Sequence, residues 1–224
     1  MATSLTAALG LAAVLFGSDP DGLVMPGPVE QSQKRLMEQQ AAIEERAKAD
    51  REASARYHDL HDPRSMPSFF QTDQRWAGTS YAGATIGSNG CGLTAASMAA
   101  SWWSRSEVTP QALRDRYGDS CTIGGLNDMA KFRDRLCADY GLTGSERYYD
   151  INRACDEALA GRTVFASIRG YFGDSWYGGH IVLIWSQDGA IHVNDPASQG
   201  NTRAWSREEL ARYRWAYFYS LVKQ

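Results

Sequence analysis

Cys91 lies in the glycine-rich segment 87–92 (GSNGCG), directly before the apolar run 93–100 (LTAASMAA). The pattern predicts a loop that places the cysteine in the first turn of a buried helix. Unpaired backbone N–H groups and the partial positive charge at a helix N-terminus favour a thiolate over a thiol. Cys91 is therefore predicted to be a nucleophile, and the ordinary alternative is a small buried apolar residue.

A thiolate nucleophile needs a base, and the chain has four histidines. His180 follows two glycines and begins the apolar run 181–185, which predicts a histidine held at the mouth of a buried strand. The pair Asp188-Gly189 predicts a hairpin turn, followed by a second strand that leads to Asp195. This hairpin brings Asp195 back towards His180, where its carboxylate can orient the imidazole. A histidine that only caps the end of a strand is the alternative.

Covalent chemistry at a carbonyl group also needs donors for the developing oxyanion. The backbone N–H of Cys91 is one candidate because it lies at a helix start. The side-chain amide of Gln71, in the segment 69–76 (FFQTDQRW), is the second candidate, with Gln74 as the weaker choice. A nucleophile, base and orienting acid of these types act through a thioester and need no metal or organic cofactor.

The segment 169–179 (RGYFGDSWYGG) lies between a predicted strand and the histidine and is rich in aromatic residues. A mobile loop at this place is a natural wall for substrate. Tyr171, Trp176 and Tyr177 are candidates for stacking on sugars or packing on small side chains. Asn89, just before the nucleophile, is a further candidate substrate contact. The alternative is that the aromatic residues fill the rim of the cleft as structure.

Four separated motifs follow one another along the chain. They are Gln71-x-Asp73-x-x-Trp76, Thr85-Ile86-Gly87-x-x-Gly90-Cys91-Gly92, Gly179-His180 and Asn194-Asp195-Pro196. With these motifs the chain resembles, over about residues 66 to 222, the C39-like branch of the papain-like cysteine peptidases. The resemblance implies that Cys91 is the nucleophile and His180 the base, oriented by Asp195. It also implies that Gln71 is the oxyanion donor and that peptide bonds are hydrolysed.

The order of secondary-structure signals predicts an α+β fold. Helix signals cover 93–103, 110–116, 127–140, 150–160 and 207–211, and strand signals cover 163–168, 181–185, 191–194 and 215–222. Thr109 before a proline predicts an N-cap, and Gly141 predicts a helix end. In the papain-like arrangement that the resemblance implies, a helical half with the nucleophile helix packs on an antiparallel sheet, with the cleft between them.

The chain of 224 residues is predicted to hold one enzyme domain with two N-terminal extensions. Residues 1–28 are a hydrophobic segment with a Gly/Pro linker, 29–62 a charged helical spacer, and 63–224 the C39-like peptidase domain. The apolar stretch 5–16 has the length of a signal-peptide core, although no Lys or Arg precedes Lys34. An uncleaved hydrophobic arm and a misplaced start codon are the alternatives.

Charge and hydropathy limit the partners. No apolar run is long enough to span a bilayer, and a net charge of −3 argues against nucleic acid or an anionic membrane as main partner. A secreted or envelope-associated protein of bacterial or phage origin is predicted, with a cytoplasmic location left open. The segment 30–57 is predicted to be a solvated helix, and a short coiled coil that dimerises the protein is the alternative. Secretion would allow one disulfide among Cys121, Cys137 and Cys155, in no predictable pairing.

The sequence thus predicts a cysteine peptidase that acts on peptides, proteins or peptidoglycan stem peptides. Two alternatives stay open. A papain-like transpeptidase or amidase would use the same thioester and would be recognised by competition between an added amine and water. A non-catalytic module would keep the cleft only to bind peptides or cell wall, but such a module has no need of the complete set Cys91, His180, Asp195 and Gln71.

Overall fold

The computed structural model describes residues 29, 31–42, 44–45, 48 and 65–223. The hydrophobic segment predicted at 1–28 lies outside these residues. The chain divides into two units, Met1–Ala47 and Lys48–Gln224. The described residues before 65 are helical (α1) and exposed, and Lys34 and Glu38 form an i,i+4 ion pair there. Dimerisation through 30–57 stays a prediction.

The second unit holds two short hairpins and one large sheet. The hairpins are β1 (Ser80–Tyr81) with β2 (Ala84–Thr85), and β3 (Thr122–Ile123) with β4 (Leu126–Asn127). The large sheet consists of β5 (Leu142–Gly144), β6 (Thr163–Phe172), β7 (Ser175–Gln187), β8 (Ala190–Asn194), β9 (Arg203–Trp205) and β10 (Trp215–Lys223). Its strand order is β5-β10-β6-β7-β8-β9, and neighbouring strands are antiparallel.

Helices cover both faces of the large sheet. They are α2 (Ile86–Asn89), α3 (Cys91–Ser104), α4 (Pro110–Tyr117), α5 (Met129–Tyr140), α6 (Ile151–Leu159) and α7 (Arg207–Leu210). Leu183 of β7 packs in one core cluster with Leu93 of α3, whereas Val182 packs in a second cluster with Ala154 of α6. The run that begins at His180 is apolar on both faces because each face is covered by a helix. The architecture is α+β.

Local signals for turns and caps are confirmed. The side chain of Thr109 accepts a hydrogen bond from the N–H of Ala112 at 3.1 Å, which caps α4. Gly141 ends α5 with φ +62°. Asp188 and Gly189 both have positive φ, +50° and +76°, as a two-residue hairpin turn between β7 and β8 requires.

The helix predicted from residue 127 begins two residues later, so that boundary was wrong. The carboxylate of Asp128 accepts hydrogen bonds from the N–H groups of Ala130 and Lys131, at 3.1 and 3.3 Å. Asp128 is therefore the N-cap, and α5 begins at Met129. Asn127 belongs instead to β4, where it pairs with a neighbouring strand.

The prediction of a mobile loop over 169–179 is also wrong. Strand β6 continues to Phe172 and β7 begins at Ser175, so that only a two-residue turn separates them. Tyr171 lies opposite Trp176 across this extension of the sheet. The glycines suggested irregular backbone, but strand pairing satisfies the N–H and C=O groups that a loop would leave to water.

Candidate active site

Cys91 is the first residue of α3, and Gly90 joins α2 to α3. A Cβ on Gly90 would clash with the carbonyl oxygen of Ile86, so this tight connection requires glycine. The cysteine is partly exposed. Burial of its sulfur opposes ionisation, but hydrogen bonds from His180 and from nearby backbone N–H groups lower the pKa of the Cys91 thiol overall.

His180 connects the thiol to Asp195. Its Nε2 lies 2.7 Å from Asp195 Oδ1, which leaves Nδ1 for the hydrogen bond with Cys91. Burial of the ring disfavours the imidazolium, but hydrogen bonds and charge interactions with Asp195 and Cys91 raise the pKa of His180 to about 9. A lowered cysteine pKa and a raised histidine pKa favour a thiolate–imidazolium pair at neutral pH.

Asp195 is fully buried, and both of its carboxylate oxygens are saturated with donors. Oδ1 accepts from His180 and from the N–H of Ala197, at 2.7 and 2.9 Å. Oδ2 accepts from the hydroxyl of Tyr177 at 3.0 Å and from Nδ2 of Asn201 at 2.9 Å. Burial opposes ionisation, yet these donors and the charge of His180 keep the pKa of Asp195 below its usual value. The carboxylate is therefore held charged and in one orientation.

Asn201 is a site residue that the sequence did not reveal, because it lies in an irregular loop without periodic signal. Its Nδ2 donates to Asp195 and to the carbonyl oxygen of Phe172. Its backbone carbonyl oxygen accepts from Trp205 Nε1 at 3.0 Å. Gly173 has φ +55°, and a Cβ there would clash with the side-chain oxygen of Asn201. Residue 173, in the turn between β6 and β7, therefore has to be glycine for Asn201 to reach the carboxylate.

Gly173→Ala is expected to lower both stability and turnover, because it strains the backbone and displaces Asn201. Gly141→Ala is the matched control, since Gly141 has a similar φ of +62° and nothing within 4 Å of the added Cβ. The control is expected to lose about 1 kcal/mol of unfolding free energy without a change in turnover. Denaturant unfolding and hydrolysis assays on both variants check this, and equal turnover in the two would contradict it.

Gln71 lies between the two segments that carry Cys91 and Asp195. Its Nε2 donates to the carbonyl oxygen of Gly87 at 2.8 Å, and its backbone N–H donates to Pro196 at 2.8 Å. An amide nitrogen carries two hydrogens, so one remains for a substrate oxygen. The side chain is buried, and its Oε1 has no hydrogen-bond partner among the described residues. Gln74, by contrast, is exposed.

Comparison with protein families assigns the chain to a family. A model described as the Peptidase_C39 like family matches residues 64–222. The chain belongs to the Peptidase_C39 like family. The match spans the nucleophile helix and all but the last residue of the large sheet of this C39-like domain.

Comparison with solved structures finds distant likenesses to two variants of the Salmonella effector SpvD. The first is 16% identical, with 64% of this chain and 70% of that chain covered and a TM-score of 0.38. The second is 14% identical, with 61% and 73% covered and the same TM-score of 0.38. No match was found among curated proteins.

The other three cysteines of the C39-like domain differ from Cys91 electrostatically. Burial raises the pKa of the thiols of Cys121, Cys137 and Cys155. All four cysteines lie among the described residues, and none is in a disulfide. Cys91 is thus set apart by its helix N-terminus and its histidine, not by burial.

The residues of the C39-like domain that were predicted to contact substrate differ in exposure and in their neighbours. Trp176 is 63% exposed and lies opposite Tyr171, which is 69% exposed, at the hairpin tip. Tyr177 stacks on the imidazole of His180 with ring centroids 4.1 Å apart, and its hydroxyl donates the hydrogen bond to Asp195 described above. The side chain of Asn89 donates to two backbone carbonyls, at 3.2 and 3.5 Å, and so ties the two short hairpins together.

The described part of the C39-like chain holds neither a cluster of metal ligands nor a helix that could cross a membrane. Among these residues, no group of three or more His, Cys, Asp or Glu side chains is placed to hold a metal ion. Within the same residues, no helix combines the length and apolar character needed to cross a bilayer.

Proposed function

We propose that the protein is a papain-like cysteine peptidase that hydrolyses peptide bonds through Cys91, His180 and Asp195. The observation that carries the proposal is the continuous contact from a thiol at a helix start, through a buried imidazole, to a fully buried carboxylate. Membership of the C39-like family supports the same reaction. The residue types, a thiol, an imidazole and a carboxylate in sequence, are those that nucleophilic catalysis at a carbonyl uses, which supports the proposal.

In the acylation step, the Cys91 thiolate attacks the peptide carbonyl carbon and forms a C–S bond. The electron pair of the C=O bond moves to oxygen, which accepts hydrogen bonds from the Cys91 N–H and the second N–H of Gln71 Nε2. The tetrahedral intermediate collapses as the C–N bond breaks, and the His180 imidazolium donates its proton to the leaving amine. The products of the step are a thioester on Cys91, a free amine and a neutral histidine.

In the deacylation step, neutral His180 removes a proton from water as the water oxygen attacks the thioester carbonyl. The C–S bond breaks, the acid product leaves, and the thiolate–imidazolium pair is restored. Asp195 holds His180 in one tautomer and one ring orientation throughout. The carboxylate itself cannot turn, because Oδ2 accepts from the Tyr177 hydroxyl and Oδ1 accepts from the N–H of Ala197. The stacked ring of Tyr177 keeps water from one face of the imidazole.

Exposed aromatic side chains support a peptide or protein substrate with apolar groups near the scissile bond. Trp176 and Tyr171 project from the hairpin whose second strand carries His180, so that a substrate bound at Cys91 can contact them. Peptidoglycan stem peptides are the corresponding substrate for an exported enzyme, with the aromatic rings packing on sugars or small side chains.

The pH dependence of Cys91 alkylation by iodoacetamide tests the proposal, with the labelled sites mapped by mass spectrometry. Cys91 is expected to react well below the ordinary thiol pKa of about 8.5, because its pKa is lowered, whereas the other three cysteines react only above it. His180→Ala is expected to slow labelling of Cys91 at pH 7 by at least about tenfold, because the thiolate loses its cationic partner.

Peptide hydrolysis is expected to fall as the pH rises through about 9, since His180 then loses the proton that the leaving amine requires. A Cys91 that reacts like the other three thiols would contradict the proposal and favour a non-catalytic binding module. An added amine that intercepts most of the acyl group would instead identify a transpeptidase or amidase.

A further inference from the structure

A side-chain amide from outside the four motifs contacts the Cys91 sulfur. Asn127, at the end of β4, places Nδ2 3.6 Å from Cys91 Sγ and 2.7 Å from the carbonyl oxygen of Asn89. An amide nitrogen carries two hydrogens, so both contacts can be made at once. A hydrogen bond of this kind is stronger to a thiolate than to a thiol, because one partner is then ionised.

Tyr81 and the carbonyl oxygen of Asn89 together determine which way this amide points. Its hydroxyl donates to Asn127 Oδ1 at 2.8 Å, and the tyrosine is only 1% exposed. Burial raises the pKa of Tyr81, so the hydroxyl stays protonated and remains a donor. A reversed amide would set its oxygen against the carbonyl of Asn89 and the sulfur of Cys91. Only the observed orientation satisfies all the partners, and it aims an N–H at the sulfur.

The backbone around Asn127 is built for this close approach. A Cβ on Gly92 would lie 2.5 Å from the Cβ of Asn127 and 2.8 Å from the sulfur of Met129, so α3 and β4 meet only because residue 92 is glycine. The side chain of Asn89 donates to carbonyl oxygens of both short hairpins, at 3.2 and 3.5 Å. The amide that faces Cys91 is therefore held by packing as well as by hydrogen bonds.

We propose that Asn127 is a catalytic residue that stabilises the Cys91 thiolate, and that Tyr81 is the positioning residue that orients its amide. This inference rests on the proposed function, since it assigns a partner to the same nucleophile. Asn127 stabilises the thiolate through a donor that takes no part in proton transfer, both before attack and when the C–S bond of the thioester breaks. His180 is then free to exchange its proton with the leaving amine and with water while the sulfur keeps a donor.

Asn127→Asp tests the inference in the whole 224-residue chain, because it replaces an N–H donor by an acceptor of the same shape and adds a negative charge beside the sulfur. The midpoint of the iodoacetamide pH profile at Cys91 is expected to rise by about one pH unit or more, which slows labelling below the midpoint by about tenfold. Asn152→Asp is the matched control, since Asn152 is exposed on α6, which covers the other face of the sheet. The control is expected to keep the wild-type profile.

Tyr81→Phe is the second variant, because it leaves Asn127 in place, adds no charge and removes one of the two groups that orient the amide. It is expected to shift the midpoint in the same direction by a smaller amount, with about two- to threefold slower labelling. Circular dichroism establishes that each variant is folded, and if Asn127→Asp does not fold, Tyr81→Phe decides. If all folded variants label Cys91 with the wild-type pH midpoint, the role of Asn127 is overturned and the proposed function stands. If Cys91 in the wild type labels with the pH midpoint of an ordinary thiol, the proposed function itself is overturned.

Discussion

Cys91→Ala is expected to abolish peptide hydrolysis, with a loss of turnover of about 10⁴-fold or more, while the protein stays folded. The loss is this large because the reaction passes through a thioester on the Cys91 sulfur, and no other described thiol combines a lowered pKa with contact to a histidine. Alanine is accommodated at the start of α3, since it favours helix and removes only the sulfur of a partly exposed residue at the edge of the core. Hydrolysis of a peptide library by the purified variant is the measurement.

Cys137→Ala is the matched control for this experiment. Cys137 is also partly buried and also lies in a helix, but its thiol has a raised pKa and no histidine partner. Wild-type turnover is expected in the control, and thermal melting of both variants shows that each is folded. Hydrolysis that survives in purified Cys91→Ala would rule out the covalent mechanism.

Asp195→Asn is expected to reduce turnover by about 10²- to 10⁴-fold and to move the alkaline limb of the pH profile below about 9. Both carboxylate oxygens accept from nitrogen donors, so an amide nitrogen in either position faces a donor and at least one hydrogen bond becomes repulsive. The charge that helps to raise the pKa of His180 is also lost. The imidazolium therefore disappears at a lower pH, and with it the proton for the leaving amine.

The pH profile of hydrolysis distinguishes this effect from general damage, because loss of stability lowers turnover without moving the limb. Asp188→Asn is the control, since Asp188 lies exposed in the β7–β8 turn at φ +50°, a conformation that Asn tolerates as well as Asp. An unchanged limb in Asp195→Asn would show that the carboxylate does not act on His180.

Much of the arrangement around the nucleophile could be predicted because the signals are local. The glycines before Cys91 and the apolar run after it are neighbours in the chain, and they determine that a helix begins there. His180 and Asp195 lie on one hairpin, 15 residues apart, and the Asp188-Gly189 turn determines its register. A turn and two strands are therefore enough to predict that the two side chains meet.

Other contacts needed the complete fold. The segment 169–179 has the glycines of a loop, yet it pairs as two strands and lays the ring of Tyr177 on His180, because the sheet continues past its apolar core. Asn201 reaches Asp195 only because a glycine turn approaches it from another hairpin. Gln71 contacts the carbonyls of Gly87 and Pro196, two segments that are far apart in the sequence.

The sequence by itself determined where the nucleophile helix begins, where the β7–β8 hairpin turns and that His180 and Asp195 lie together. Only the tertiary structure decided which polar groups surround that pair: the donors on Asp195, the ring over the imidazole and the amide of Asn127 beside the sulfur. The physical reason is the range of the interactions. Helix ends and tight turns depend on the φ preferences and hydrogen bonds of adjacent residues, whereas a contact such as that between Asn127 and Cys91, 36 residues apart, depends on how separate elements pack.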